Sequence, residues 1–217
     1  MNIAWYGHSL FEIRTNPAKN STIRIVIDPF DESLGLKVPR LEADILLITH
    51  DHADHNNVKT VSGNYFLING PGEYEIKGVL VQGISSFHDS SQGKSRGKNT
   101  IYTIDSEDIR ICHLGDLGQK ELTQEQLEKI GEIDILMIPI GGVYTISSKE
   151  ATKIMTQLEP KITIPMHYAL PKLKLKLEPL NNFLKKFGIK SLEPLKKLSI
   201  RKKDLSPEEA KIIILKP

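Results

Sequence analysis

The chain has little of what usually staples a small protein together. Its 217 residues include one cysteine, Cys112, so no internal disulfide can form. Stability must come from packing or bound metal, as expected in a reducing compartment. Long apolar runs are missing too: the longest is four or five residues, as at 45–48, far below the roughly 20 that span a bilayer. Residues 1–30 lack the continuous apolar block of a signal peptide, and the expected location is the cytoplasm, with no membrane partner. Charge of one sign is not in excess. A net charge of +2 is too mild to mark a nucleic-acid-binding protein. No repeat of 20–50 residues and no low-complexity linker divides the chain, so one domain over 1–217 is expected.

What is present fits a packed core: 39% of residues are apolar and 26% charged. The charge is uneven. Residues 105–159 carry eleven acidic side chains against five basic ones, whereas 172–203 carry eleven basic ones against Glu178 and Glu193. A lysine-rich stretch of this kind is either a solvated face or a surface that attracts phosphorylated or other anionic ligands.

Short apolar runs bounded by Gly, Pro, Asn or Asp predict strands at 3–6, 10–14, 22–27, 44–49, 64–68, 73–77, 79–85, 100–105 and 109–113. Helical periodicity comes later, at 123–130 and 147–158. The second of these opens with Ser147 and Glu150 at capping-box spacing and ends before Pro160. A third helix is expected at 180–187, stopped by Gly188, with further strands at 133–138, 162–166 and 212–215. Residues 173–177 alternate Leu and Lys, which suits a half-buried strand or an extended loop.

The stretch with the most chemistry is Thr49-His50-Asp51-His52-Ala53-Asp54-His55, directly after the apolar run 45–48. Three of the seven histidines fall within six residues. Imidazole is the commonest zinc ligand, and a neighbouring carboxylate adds a hard oxygen. On an extended loop His50 and His52 project to one side and can chelate one metal, while Asp54 and His55, past a turn, can serve a second about 3.5 to 4 Å away. Two ions need more donors. His88 follows the run 79–85, Asp116 the run 109–112, and His167 the run 162–166. Each sits just past an expected strand, although a lone histidine there is usually a hydrogen-bonded surface residue and a Gly-Asp pair usually a turn.

These residues, together with Gly7-His8-Ser9, Asp28 in Val26-Ile27-Asp28-Pro29, Gly72-Glu73-Tyr74-Glu75, Phe87-His88, Gly115-Asp116, Pro139-Ile140-Gly141-Gly142 and Pro165-Met166-His167-Tyr168, appear in an order that resembles the metallo-β-lactamase superfamily. The resemblance covers nearly the whole chain and is nearest to the small single-domain branch with ascorbate-6-phosphate lactonase-like proteins and zinc-dependent hydrolases. It implies an α/β fold, a four-layer αββα sandwich with two mixed sheets face to face and the metal site on one rim. By position it implies that His50, His52 and His88 hold a first ion, that Asp54, His55 and His167 hold a second, and that Asp116 bridges them. A water or hydroxide between the ions is the implied nucleophile, oriented by Asp54. Asp28 is implied to buttress the histidine loop. His113 competes with His88 for the third place on the first ion; otherwise His113 and His8 are implied to line the site as proton-donating candidates, a plain core hydrogen bond being the other role for His113.

Redox members of the superfamily tend to carry glutamate where this chain has His52, so two zinc ions per chain are expected, with manganese as the alternative. At 217 residues there is no room for the helical domain of glyoxalase II or the inserted domain of β-CASP nucleases, and Cys112 matches no metal position of the common β-lactamase classes. A small ester, lactone or phosphodiester remains. Lys172, Lys174 and Lys176 after His167 favour a small-molecule, anionic, phosphorylated substrate over nucleic acid. A di-iron redox protein and a non-catalytic metal-binding scaffold stay open as alternatives, and the resemblance suggests a homo-oligomer.

Overall fold

The computed structural model describes residues 1–18, 21–206 and 209–217. Along the chain come β1 (Asn2–Trp5), β2 (Phe11–Ala18), β3 (Ser21–Ile27), β4 (Leu41–Glu42), β5 (Ile45–Leu47), β6 (Val61–Ser62), β7 (Phe66–Ile68), β8 (Gly72–Ile76), β9 (Val79–Phe87), β10 (Lys98–Ser106) and β11 (Ile109–His113). Then α1 (Gln124–Ile130), β12 (Ile135–Pro139), α2 (Ser148–Leu158), β13 (Ile162–Met166), α3 (Leu180–Leu184), β14 (Leu198–Ser199) and β15 (Lys211–Ile212) follow. Six strands form one sheet in the order β14-β1-β2-β3-β5-β7, and seven form another in the order β15-β13-β12-β11-β10-β9-β8. Both are mixed, as expected. In the first sheet β3, β5 and β7 run parallel while the β14–β1–β2–β3 pairs are antiparallel. In the second, β11, β12, β13 and β15 run parallel, and β8 to β11 alternate.

Side chains alternate across a strand, and the alternation sorts the apolar residues into two cores. Ile25, Ile27, Ile45 and Leu47 point inward and join Ile101, Ile104, Ile111, Ile135 and Ile164 of the other sheet in the main cluster. Val26, Leu46 and Ile48 point the other way, into a second cluster with Phe30, Leu34, Leu41 and Val61. Runs such as Ile45–Leu47 are apolar at every position because both faces are covered. The cover differs between the sheets. Over the second sheet lie helices: the Gln126 side chain of α1 donates to the Ser85 carbonyl of β9 at 2.8 Å, and α2 buries Ala151, Ile154 and Leu158. Over the first sheet the outer layer is irregular chain with two short 3-10 turns, Glu32–Leu34 and Val58–Thr60.

The helix starts fall where their caps place them. Ser147 accepts from the Glu150 amide while the Glu150 carboxylate accepts from the Ser147 amide, and Thr123 with Gln126 does the same for α1. The expected third helix is α for Leu180–Leu184 and then tightens to 3-10 at Lys185–Phe187, ending at Gly188 with φ of 69°. Residues 173–177 belong to no strand; Leu173 and Leu175 pack on the second cluster, so the alternation reflects a loop with one face against the protein. The expected strand 212–215 shortens to β15 at Lys211–Ile212.

Direction matters most for the site. β1, β3 and β5 run the same way, as do β9, β11 and β13, because each pair is either directly parallel or related by two antiparallel steps. The segments leaving their C-terminal ends therefore line one edge of each sheet, and every polar residue expected at the site lies on one of them except His113, the last residue of β11. Two buried bonds pin these edges together: the Thr100 amide donates to the Thr49 carbonyl at 2.8 Å, and the Tyr102 hydroxyl donates to the Ile48 carbonyl at 2.9 Å.

Tyr102→Phe removes that hydroxyl and weakens the hold on the chain entering the histidine loop. A lost buried hydrogen bond costs about 1–3 kcal/mol, and for a chain of this size the expected drop in Tm is roughly 2–10 °C, read by thermal unfolding. An unchanged Tm would show that the Ile48 carbonyl finds another partner.

Candidate metal centre

The chain turns sharply as it leaves the strands. His8, Asp28 and His167 have φ of 52°, 51° and 51°, a left-handed conformation that costs a non-glycine residue of order 1–3 kcal/mol. Such strain persists where surrounding contacts over-determine it, and here they do. The His8 carbonyl accepts from the Trp5 indole and from the His167 amide, both at 3.0 Å, which locks the two histidines' backbones to each other across the sheets. Glycine is needed at two neighbouring points. A Cβ on Gly115 would stand 2.3 Å from Asn99 Oδ1, and one on Gly141 would stand 2.2 Å from the His167 carbonyl oxygen.

Six histidines and Asp116 converge there in two groups able to hold a metal, with Asp28 and Asp54 beside them. Nitrogen and oxygen atoms of His8, His55, Asp116 and His167 lie within 4.8 Å of one another, and so do ring nitrogens of His50, His52 and His88. Asp116 Oδ2 reaches into both: it stands 3.2 Å from His55 Nε2, 3.0 Å from His167 Nε2 and 3.5 Å from His88 Nε2. Asp54 Oδ2 is 3.2 Å from His8 Nε2 and 3.7 Å from His55 Nε2. Apart from His52, which is exposed, and Asp54, which is half-buried, all these groups are buried.

Hydrogen bonds decide which ring nitrogens are free. Asp28 accepts from the Thr49 amide at 2.8 Å and from the Thr49 hydroxyl at 2.7 Å. With its proton committed to Asp28, the Thr49 hydroxyl must accept from His50 Nδ1, 3.0 Å away. That places the His50 proton on Nδ1 and leaves Nε2 a bare, buried lone pair with no partner. His55 Nδ1 donates to Asp28 Oδ2 at 2.9 Å, the arrangement by which a carboxylate orients a ligating imidazole. Asp28 thus stands behind the loop, where it was expected. Buried nitrogens of His8, His88 and His167 also lack partners.

His113 is different. The Gly115 amide donates to its Nδ1 at 3.1 Å, so its proton is on Nε2, which donates to the Ser9 carbonyl at 3.1 Å. Both nitrogens are used, and the ring lies outside both groups. Of the two contenders for the third place beside His50 and His52, the structure brings His88 there. Three residues with no expected role position Asp116. The Ser9 hydroxyl donates to its Oδ1 at 3.2 Å, and its amide donates to Asn99 Oδ1 at 3.0 Å, while Asn99 in turn donates to Ser86 and to the Leu114 carbonyl. Ser9 lies inside the Gly7-His8-Ser9 motif; nothing in the sequence around Asn99 marks it.

The electrostatics follow from burial and from the two buried aspartates. Burial pushes His8 down to about 4 and His50 down to about 3, helped by the neighbouring His167 and His55 respectively, so both are neutral and able to ligate. Burial also lowers His88 and His113. Burial opposes charge on His55 too, but Asp116 and Asp28 on its two sides outweigh that and raise it well above the ordinary histidine range. Burial alone would raise Asp28 and Asp116; His55, joined at Asp116 by His167, holds both below the usual carboxylate range. By contrast, a polar cavity of about 890 Å³ whose lining includes Asp105 paired with Arg110, and Asp134 paired with Lys161 and Lys202, contains none of the site residues. Among the described residues no helix is long and apolar enough to cross a membrane.

The stability of metal-free protein should consequently peak near pH 6.5. Above that value an unfolded His55 has lost its proton while the folded one keeps it, so stability falls as pH rises towards the raised folded pKa. Below it the unfolded His8 and His50 take up protons that the folded ones refuse, so stability falls down to about pH 3–4. Thermal unfolding of chelator-treated protein across pH 4–8 checks this; a steady rise in Tm from pH 6.5 to 8 would contradict the charged His55.

Comparison with known proteins identifies the family. The family described as the beta-lactamase superfamily domain matches residues 2–167. A protein of Thermococcus onnurineus named as a metal-dependent hydrolase is 33% identical over 195 residues, covering 77% of this chain and 84% of that one. A crystal structure from Thermotoga maritima, assigned to the Zn-dependent hydrolases of the metallo-β-lactamase superfamily, is 38% identical with a TM-score of 0.79, covering 99% of this chain and 97% of that one. A metallo hydrolase of Ignicoccus hospitalis is similar in fold, with a TM-score of 0.60 at 19% identity over 92% of this chain and 99% of that one.

Proposed function

The chain belongs to the metallo-β-lactamase superfamily and is a metal-dependent hydrolase, and from that premise we propose that it holds two divalent ions, zinc before manganese, and cleaves a small ester, lactone or phosphodiester. In this reading His50, His52 and His88 hold one ion, Asp54, His55 and His167 the other, and Asp116 bridges them. The observation that carries it is the position of Asp116 Oδ2, 3.0–3.5 Å from a nitrogen of His55, of His88 and of His167, so that one oxygen faces both groups. The donors fit such ions: buried imidazole lone pairs without partners and carboxylates without thiolate.

Bound divalent ions supply Lewis-acid charge that makes water a nucleophile near neutral pH. The remaining work falls to the chain's own groups. Asp28 and Thr49 hold His55 and His50 in the tautomers that present Nε2. Asp54, the carboxylate of the cluster that is half-exposed to the rim, accepts a proton from and orients the attacking water. His113 acts as a positioning residue, tying the Ser9 carbonyl to the turn that carries Asp116. On the substrate side, Lys172, Lys174 and Lys176 are exposed on a loop whose Lys174 amide donates to the Leu34 carbonyl, while Leu170 packs close to Gly7, beside His8. Their charge favours an anionic, phosphorylated substrate. Residues 1–217 act as one domain in this reading, since one apolar cluster takes residues from Met1 to Leu215. The buried free thiol of Cys112 accords with the cytoplasm.

Protein purified without chelator should carry close to two equivalents of zinc or manganese and turn over at least one member of an ester, lactone and phosphodiester panel. Asp54→Asn should keep metal while turnover falls roughly 10²- to 10⁴-fold. Metal-loaded protein inert on the whole panel would refute the hydrolytic assignment. For the substrate class, changing Lys172, Lys174 and Lys176 together to Gln should raise KM for phosphorylated substrates at low salt and leave kcat near its starting value; unchanged kinetics would remove the preference for phosphate.

A further inference from the structure

We infer that His8 is itself a ligand of the second ion, completing a closed donor set with Asp54, His55, Asp116 and His167 and leaving the open coordination position on the His50–His52–His88 side. This rests on the two-ion reading above. The geometry is specific. Neighbouring donors at metal–ligand distances of about 2.0–2.2 Å stand about 3 Å from each other. His8 Nε2 lies 3.1 Å from His55 Nε2 and 3.2 Å from Asp54 Oδ2, and the neighbouring edges from Asp116 Oδ2 to His55 and His167 are 3.2 and 3.0 Å. His8 Nε2 is thus spaced from His55 and Asp54 as Asp116 Oδ2 is from His55 and His167.

Everything about His8 aims that one atom. Every polar contact of its ring runs through Nε2 into the cluster, and Nδ1 is buried without a partner. Its ring is fully buried and stands 4.3 Å from that of His167, centroid to centroid. The left-handed backbone and the doubly bonded carbonyl, held by Trp5 and by the His167 amide, fix its direction at the cost of strain. A wall histidine that merely lined the rim would need none of this.

The consequence is an asymmetry between the ions. Five protein donors, four of them buried, surround the second, whereas the first has three imidazoles, one of them exposed, and a share of Asp116. Structural metal sites are closed and catalytic ones keep a position free. The His8 side therefore holds its ion more tightly, and the His50 side is where substrate or water enters.

The test is metal binding. Asn tolerates the left-handed backbone at position 8 but is too short to reach the cluster, so His8→Asn is the variant of choice, with the Tm of its chelator-treated form as the folding check and His8→Gln as a second variant. Competition with a chromophoric chelator should resolve a tight and a labile zinc equivalent in the wild type. In both variants the tight equivalent should weaken at least tenfold, a loss no smaller than that from removing an outer hydrogen-bonding partner of a ligand, and the Co²⁺ absorption spectrum should change. Long-range ¹⁵N NMR of histidine-labelled, zinc-loaded protein should find His8 Nε2 coordinated. Two equivalents bound with wild-type affinity and spectrum by a folded His8→Asn would overturn the inference and leave the two-ion reading standing; a wild type that holds fewer than two would overturn both.

Discussion

A chain of buried charge, Asp28 to His55 to Asp116, governs the rest of the structure. Two carboxylates without solvent are expensive unless opposite charge or hydrogen bonds meet them. His55 meets both, one ring nitrogen at 2.9 Å from Asp28 and the other at 3.2 Å from Asp116. Its own charge is maintained by the same two groups against burial. A divalent ion held at Nε2 in place of the proton would again set positive charge beside Asp116, and Asp28 would still hold Nδ1. The network that is tolerable as an ion chain without metal thus already gathers its donors within reach of one cation.

That chain can form only because both sheets deliver their polar ends to one rim. Asp28 leaves β3 and His55 the loop after β5, in one sheet; Asp116 leaves β11 and His167 β13, in the other. The parallel pairs β3–β5 and β11–β12–β13 put successive C-terminal ends side by side, and the antiparallel steps carry β1 and β9 to the same edge, with His8 and His88. The apolar core between the sheets is the scaffold for this: it fixes the separation of two edges, and the bonds from Tyr102 and Thr100 to the entry of the histidine loop set their register.

Much of this was legible in the residues. The histidine loop, His88, Asp116, His167 and Asp28 each stand where an apolar run stops, and a polar residue that follows buried strands repeatedly is hard to explain by turn chemistry. The longer strands were visible from their apolar runs, α1 from its helical period and α2 from its period and cap. β4, β6 and β14 were not, because two residues carry no periodicity, and each is defined by the partner it meets in space. The 173–177 alternation has the period of a strand but no ladder, since one face packing on a second core is enough to produce it. His113 and His88 could not be separated by spacing alone; the difference lies in which nitrogens the backbone has already used. Asn99 was invisible for the same reason, as its role is a set of three side-chain contacts with residues distant in sequence.

The two halves of the site also differ in a way that bears on how such a centre works. Burial of His8, His55, Asp116 and His167 removes water from one half, where imidazole nitrogens and a carboxylate oxygen sit at donor spacing, while exposure of His52 opens the other half to the rim. A dry, fully surrounded cation cannot readily exchange a ligand, and a wet one can. In the two-ion reading, placing the closed half against the strained His8–His167 backbone pair and the open half beside the exposed His52 separates two tasks that conflict in a single ion: holding the centre together and letting substrate in. Asp116, with one oxygen facing both, is what makes them one site.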